Sequence, residues 1–141
     1  MSDQPEEHFY LKASLDVPLH NFLGLNILSY GDGRGEISIP IGTNVINAVG
    51  AVHGAVYYAL CDIVGAVAYG TIASHDEFSV TNDINVSILS ASFEGELRAE
   101  GAVIKAGKRL VFVETKVFNN DKLVAVGRIT KTVLAKPTLS K

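Results

Sequence analysis

The run HGAVYYALCDIVGAVAYG, from His53 to Gly70, holds a single carboxylate, Asp62, among alanines, valines, glycines and tyrosines. Gly54 follows His53, and Asn47 and Gly50 lead into the same segment. Read as a helix that starts at Gly54, the segment places unpaired backbone N–H groups and the positive dipole end at that glycine. There they can polarise a carbonyl or hold an oxyanion, and the missing side chain lets a ligand approach the main chain. Asp62 brings a negative charge and a proton acceptor, but at 1.5 Å per residue it lies roughly 12 Å further along the axis. One reacting carbon cannot touch both. If both serve one reaction, they come from two copies of the helix, antiparallel about a two-fold axis across the small-residue face. The spacing thereby predicts a homodimer with two composite sites. Two plainer readings stand beside this one: Asp62 as a structural acid bonded to a neighbouring loop, and His53 in a positioning role, capping or orienting its loop.

The elements that must hold these residues follow from periodicity. At about 100° per residue, Ala55, Tyr58, Ala59, Asp62, Gly65, Ala66 and Tyr69 share one helix face, with Val56, Leu60, Val64 and Val67 opposite. The bulky face suits a sheet. The small one, where Gly65 gives up roughly 1 kcal/mol of helix propensity relative to Ala, suits close approach by another helix or a ligand. Before the helix, residues 18–23 predict a helical turn, LNILSY, GDG and GEISIPI a β-hairpin, and GTNVINAVGAVHG a polar loop. After the loop ASHDE come four strand-like segments, FSVTNDINVSILS, ELRAEGAVIKA, RLVFVETKVF and LVAVGRITKTVL. The order β-β-α-β-β-β-β belongs to the α+β class. Short turns favour a largely antiparallel six-stranded sheet, and an apolar helix needs cover nearly all round, so the sheet curls around it. This predicts one domain over residues 20–134, an N-terminal segment 1–19 and a tail 135–141.

Composition removes several classes of function. A formal net charge of −3 without a long run of Lys and Arg leaves no electrostatic footprint for nucleic acid, so an anionic ligand must be met locally. The single cysteine, Cys61, has no intramolecular disulfide partner, and the N-terminus MSDQPEEHFYLK is acidic where a signal peptide would be basic and then apolar. Both predict a cytoplasmic protein. Residues 55–73 approach the length of a membrane span, but an Asp near the middle costs roughly 3 kcal/mol on insertion, which argues against a membrane helix.

With these elements placed, NAVGAVHGAVYYALCD resembles the motif N-x-x-G-x-x-H-G-G, followed by an acid, of hotdog-fold acyl-CoA thioesterases of the PaaI type. SVTNDINVSILSAS is similar to that family's strand after the helix, IKAGKRLVFVETKVFN to its next hairpin and LVAVGRITKTVL to its closing strand. The resemblance implies that Asp62 is the catalytic carboxylate, either a general base on water or the nucleophile. It implies that Asn47 orients the water or the thioester carbonyl, and that the Gly54 N–H polarises that carbonyl. Thr81 falls where a family member carries a Ser or Thr that helps hold the water, although an ordinary strand threonine explains it equally. One departure is Ala55, where the second glycine of H-G-G is expected; its methyl narrows the acyl or pantetheine path.

The implied activity is hydrolysis of a medium-chain or aromatic acyl-CoA. A thioester is already activated, so the reaction needs a positioned water, a base and a stabilised oxyanion, with no metal and no cofactor beyond the CoA of the substrate. Tyr58 and Tyr69 are candidate pocket walls or dimer-packing residues. Lys105, Lys108 and Arg109 cluster at a turn, either meeting the CoA phosphates or simply solvated. A non-catalytic acyl-CoA sensor shares the fold, but the intact Asp62 argues against it. A hotdog hydratase or dehydratase pairs a His with an acid at the substrate carbons, and His53 sits poorly for that. Relatives of the PaaI type are often tetramers, so a dimer of dimers is equally compatible.

Overall fold

The structure is a computed structural model that describes residues 11 and 16–136. Most of the expected N-terminal segment 1–19 and of the tail 135–141 lies outside the described residues. In chain order the elements are α1 (Pro18–Leu23), β1 (Asn26–Gly31), β2 (Arg34–Pro40), α2 (Gly54–Gly70), β3 (Glu77–Ile88), β4 (Glu96–Ala106), β5 (Leu110–Asn119) and β6 (Lys122–Ala135). Pro18 opens α1 with its fixed φ, and Gly24 closes it at φ 75. Asp32 and Gly33, at φ 53 and 78, make the tight turn whose backbone twist matches the flanking strands of the β1–β2 hairpin.

The six strands form one antiparallel sheet in the order β1-β2-β4-β5-β6-β3. The α2 segment carries the chain from β2 to the far edge of the sheet, where β3 pairs with β6 on one side and leaves its other side free of strand pairing. Alternation along β5 separates the faces: Val111, Val113, Thr115 and Val117 are buried, while Glu114 and Lys116 between them are exposed. On the outer face Arg98 bridges Glu36 and Glu100 and lies over the Phe118 ring, and Arg128 pairs with Glu114.

The inner face is shaped to take the helix at close range. Cross-strand pairing lines up Gly35 on β2, Gly101 on β4, Thr115 on β5 and Gly127 on β6. A methyl on Gly35 would stand 2.8 Å from Val67 Cγ1, and one on Gly101 would stand 3.0 Å from the Val64 carbonyl oxygen. The helix therefore beds against a row in which three of the four positions lack a side chain. Val56, Leu60, Val64 and Val67 face the core as the periodicity requires, and Tyr57, Cys61, Ile63 and Ala68 are buried too. Only a narrow stripe of α2 stays open: Ala55 and Tyr58 are exposed, and Ala59, Asp62 and Ala66 are half-buried.

That stripe is narrower than the sequence suggests. Gly65 and Tyr69, expected on the open face, are both buried. The space beside Gly65 is filled by Ile129 of β6, 3.5 Å from where a Cβ would stand. The close approach that this glycine serves is by the chain's own sheet. The expected polar loop before α2 also has more structure than its composition indicates, with a 3-10 turn at Thr43–Val45 and an isolated antiparallel bridge between Ile46 and Val52.

Candidate active site

The open stripe carries one charged side chain, Asp62. Strand β3 lies alongside, and the Thr81 hydroxyl donates to Asp62 Oδ1 at 2.6 Å. Behind Thr81, directly across the β3–β6 pair, Lys131 donates from Nζ to Thr81 Oγ1 at 2.9 Å. Lys131 is only 3% exposed. Burial pushes its ammonium below the ordinary lysine range, and the negative charge of Asp62 draws it part of the way back. Asp62 Oδ2 has no hydrogen-bond partner among the described residues. The carboxylate is thus fixed through one oxygen and free at the other.

The neighbouring Cys61 is fully buried, and burial raises its thiol pKa, with Asp62 adding to that and the Thr115 hydroxyl opposing it. A thiol held neutral and away from solvent makes a poor nucleophile, whereas Asp62 is half-buried on the open stripe.

At the start of α2 the backbone donors are divided among different partners. His53 is the N-cap: its Nδ1 accepts from the Ala55 N–H at 3.0 Å, and its carbonyl accepts from Val56 at 2.9 Å. The Gly54 N–H is left without an acceptor among the described residues. This gives His53 the positioning role and leaves Gly54 as the available donor. In the preceding loop, the Asn47 side-chain oxygen accepts from the N–H groups of Val49 at 3.0 Å and Ala51 at 3.1 Å. Since that oxygen is spent on the loop, the Asn47 amide NH₂ is what remains for a ligand.

The expected substrate contacts fall elsewhere. Lys105, Lys108 and Arg109 are exposed where β4 turns into β5. Lys108 lines a cavity of about 250 Å³ with Tyr69, Ile72, Glu77 and Val133, at the C-terminal end of α2. Tyr58 is 43% exposed, one turn before Asp62. One chain therefore holds three separate groups: Asn47, His53 and Gly54 at the helix start, Asp62 with Thr81 near its middle, and Tyr69 with Lys108 at its end. The 17 residues of α2 span about 25 Å, so a single copy cannot close these around one thioester.

Lys131 is the member that the sequence reading missed. A period of two counted from the core residue Ile129 along β6 places Lys131 on the inner face, which is the signal that identifies it.

The sequence profile of the Thioesterase superfamily matches residues 49–126, from the loop before α2 into β6. The chain belongs to that superfamily, and the antiparallel sheet wrapped on one long helix is its hotdog fold. The structure is similar to that of a conserved protein from Pseudomonas aeruginosa, 31% identical, with TM-score 0.83 and coverage of 87% of this chain and 98% of that one. A thioesterase from Haemophilus influenzae superposes with TM-score 0.86 at 22% identity, covering 98% of this chain and 97% of that one. In sequence the chain is 24% identical over 115 residues to a protein of Saccharolobus solfataricus that bears the name "putative esterase", spanning 82% of this chain and 79% of that protein. It is also 24% identical over 119 residues to 1,4-dihydroxy-2-naphthoyl-CoA hydrolase of Listeria monocytogenes, spanning 84% of this chain and 97% of that one. The superfamily is one of thioester hydrolases, and the protein is thus an enzyme of that class. Among the described residues no helix is long and apolar enough to cross a membrane.

Proposed function

We propose that the protein hydrolyses a medium-chain or aromatic acyl-CoA to the free acid and CoA, at two composite sites of a homodimer. The observation that carries this is the Asp62 carboxylate, held at Oδ1 by Thr81 and free at Oδ2 on the one open stripe of α2. An unpartnered carboxylate oxygen beside an otherwise small and apolar surface suits removal of a proton from water, or direct attack, at a bound acyl carbon. The chain carrying Asp62 supplies Thr81. The partner's helix start supplies the Gly54 N–H and the Asn47 NH₂ as donors to the thioester oxygen, whose developing charge they stabilise in the transition state. The exposed stripe and the unpaired side of β3 give the two copies a surface on which to meet, and the antiparallel arrangement brings one copy's helix start towards the other's Asp62. It also brings Lys108 at the end of one α2 towards the start of the other, within reach of the CoA phosphates. An aromatic acyl group is favoured by the likeness to the naphthoyl-CoA hydrolase and by Tyr58 on the stripe; Ala55 narrows the path beside it.

The test is a panel of short, medium, long and aromatic acyl-CoAs assayed with wild type and Asp62→Ala. Turnover of at least one medium-chain or aromatic thioester, lost in Asp62→Ala, is expected. Full turnover in the variant removes Asp62 from the chemistry, and binding without turnover in the wild type favours a sensor.

A further inference from the structure

Lys131 is a buried charge that the thioesterase reaction as set out above does not use. An ammonium has three donors and no acceptor, and an ionised carboxylate only accepts. Thr81 Oγ1 lies between one of each, at 2.9 and 2.6 Å. Its lone pair must take the Lys131 proton, so its single hydrogen must go to Asp62. A hydroxyl between Asp62 and solvent alone would be free to rotate.

We propose that Lys131 is a positioning residue that locks the Thr81 hydroxyl as a donor to Asp62 Oδ1, so that Oδ2 alone is presented to water or the acyl carbon. The inference rests on the thioesterase reading for its consequence, but the lock itself is a property of the three side chains. If Lys131 loses its proton, its amine can accept, the Thr81 hydroxyl can turn towards it, and Asp62 is released. The titratable groups carried by the elements packed against β6 beside Lys131 are Tyr57, Tyr58, Cys61, Asp62 and Tyr69 on α2 and Glu77 and Asp83 on β3. β5 offers Val111 opposite it, which carries no charge. Of these groups, Asp62 is the one whose charge acts on Lys131.

Two measurements decide the matter. In acyl-CoA turnover, Lys131→Met is expected to lower kcat roughly 10- to 100-fold, as for loss of a charge-assisted hydrogen bond, with KM changed less than about twofold. Adding Thr81→Val to it should cost nothing further, because both act through one contact. Wild-type kcat should fall at alkaline pH as Lys131 deprotonates. Lys131→Arg, whose guanidinium keeps its proton, should recover most of the rate and lack that fall. A wild-type kcat in Lys131→Met, additive losses in the double variant, or an unchanged alkaline fall in Lys131→Arg would each overturn the proposal. Should Lys131→Met not fold, Lys131→Arg and Thr81→Val carry the same test.

The second measurement needs no substrate: NMR titration of the Lys131 side chain in wild type and in Asp62→Asn. Its midpoint should lie below that of ordinary lysines and drop further in Asp62→Asn. If wild type turns over none of the acyl-CoAs, the thioesterase reading fails and this titration alone judges the lock. A midpoint unmoved by Asp62→Asn refutes it.

Discussion

Replacing Gly54 with proline removes one hydrogen atom that the proposed chemistry needs and that the fold does not. Gly54 is the first residue of α2, where an N–H has no intrahelical acceptor and proline is favoured. Its predecessor His53 sits at φ −62, ψ 136, the extended conformation that a following proline requires. A Cβ at position 54 would meet only Ile88 Cδ1, at 3.5 Å, which is ordinary contact. Gly54→Pro should therefore fold like the wild type, and could gain about 0.4–1 kcal/mol through a stiffer unfolded chain. If the Gly54 N–H stabilises the oxyanion, its loss costs roughly 10²- to 10³-fold in kcat. Release of CoA thiol reads the rate, and Gly54→Ala, which keeps the N–H, separates a missing donor from added bulk. Mixing Gly54→Pro with Asp62→Ala sharpens the experiment. Random exchange makes half of the dimers mixed, each with one intact site of two, so about a quarter of wild-type activity returns if the sites are composite. A folded Gly54→Pro with wild-type kcat refutes the donor role. No recovery on mixing, with exchange demonstrated, refutes the shared site.

Gly101→Ala should lower stability by about 1–3 kcal/mol in denaturant melts, because its methyl would press on the Val64 carbonyl, part of a helix backbone that cannot rotate away. Lys108→Glu, by putting repulsion where CoA phosphates are expected, should raise KM with little change in kcat; an unchanged KM removes Lys108 from binding. The burial of Lys131 also sets a pH dependence of stability. Its pKa is lower folded than unfolded, so between the folded value and the ordinary ~10.4 the unfolded chain binds more protons and stability rises with pH. Relative to Lys131→Met, the wild type should therefore gain stability between neutral pH and pH 10 in urea melts, and a difference that stays flat contradicts the burial.

Much of this was legible in the sequence because it rests on local rules. Period-two alternation and short turns gave the strands, and the long Ala- and Val-rich run around Asp62 gave the helix. The separation of Gly54 from Asp62 follows from helical rise alone. What escaped depended on which surface faces which. A helical wheel shows that Gly65 lacks a side chain, but not that Ile129, 64 positions on, fills the space. Lys131 reads as solvent-facing by type, and only its partners Thr81 and Asp62 make burial tolerable. The division of labour within Asn47, oxygen to the loop and NH₂ outward, depends on the bend of a loop that composition does not specify.

The open stripe of α2 divides the helix into two inheritances. Val64, Leu60 and Cys61 are sealed against the sheet, and change there is penalised by the fold before any substrate is met. Ala55, Tyr58, Ala59 and Ala66 are exposed or half-buried, so within the chain their replacement disturbs little packing. If the stripe lines the acyl site as proposed, new acyl preferences can be sampled by drift along one edge of a single helix, while the acid between those positions stays where Thr81 holds it.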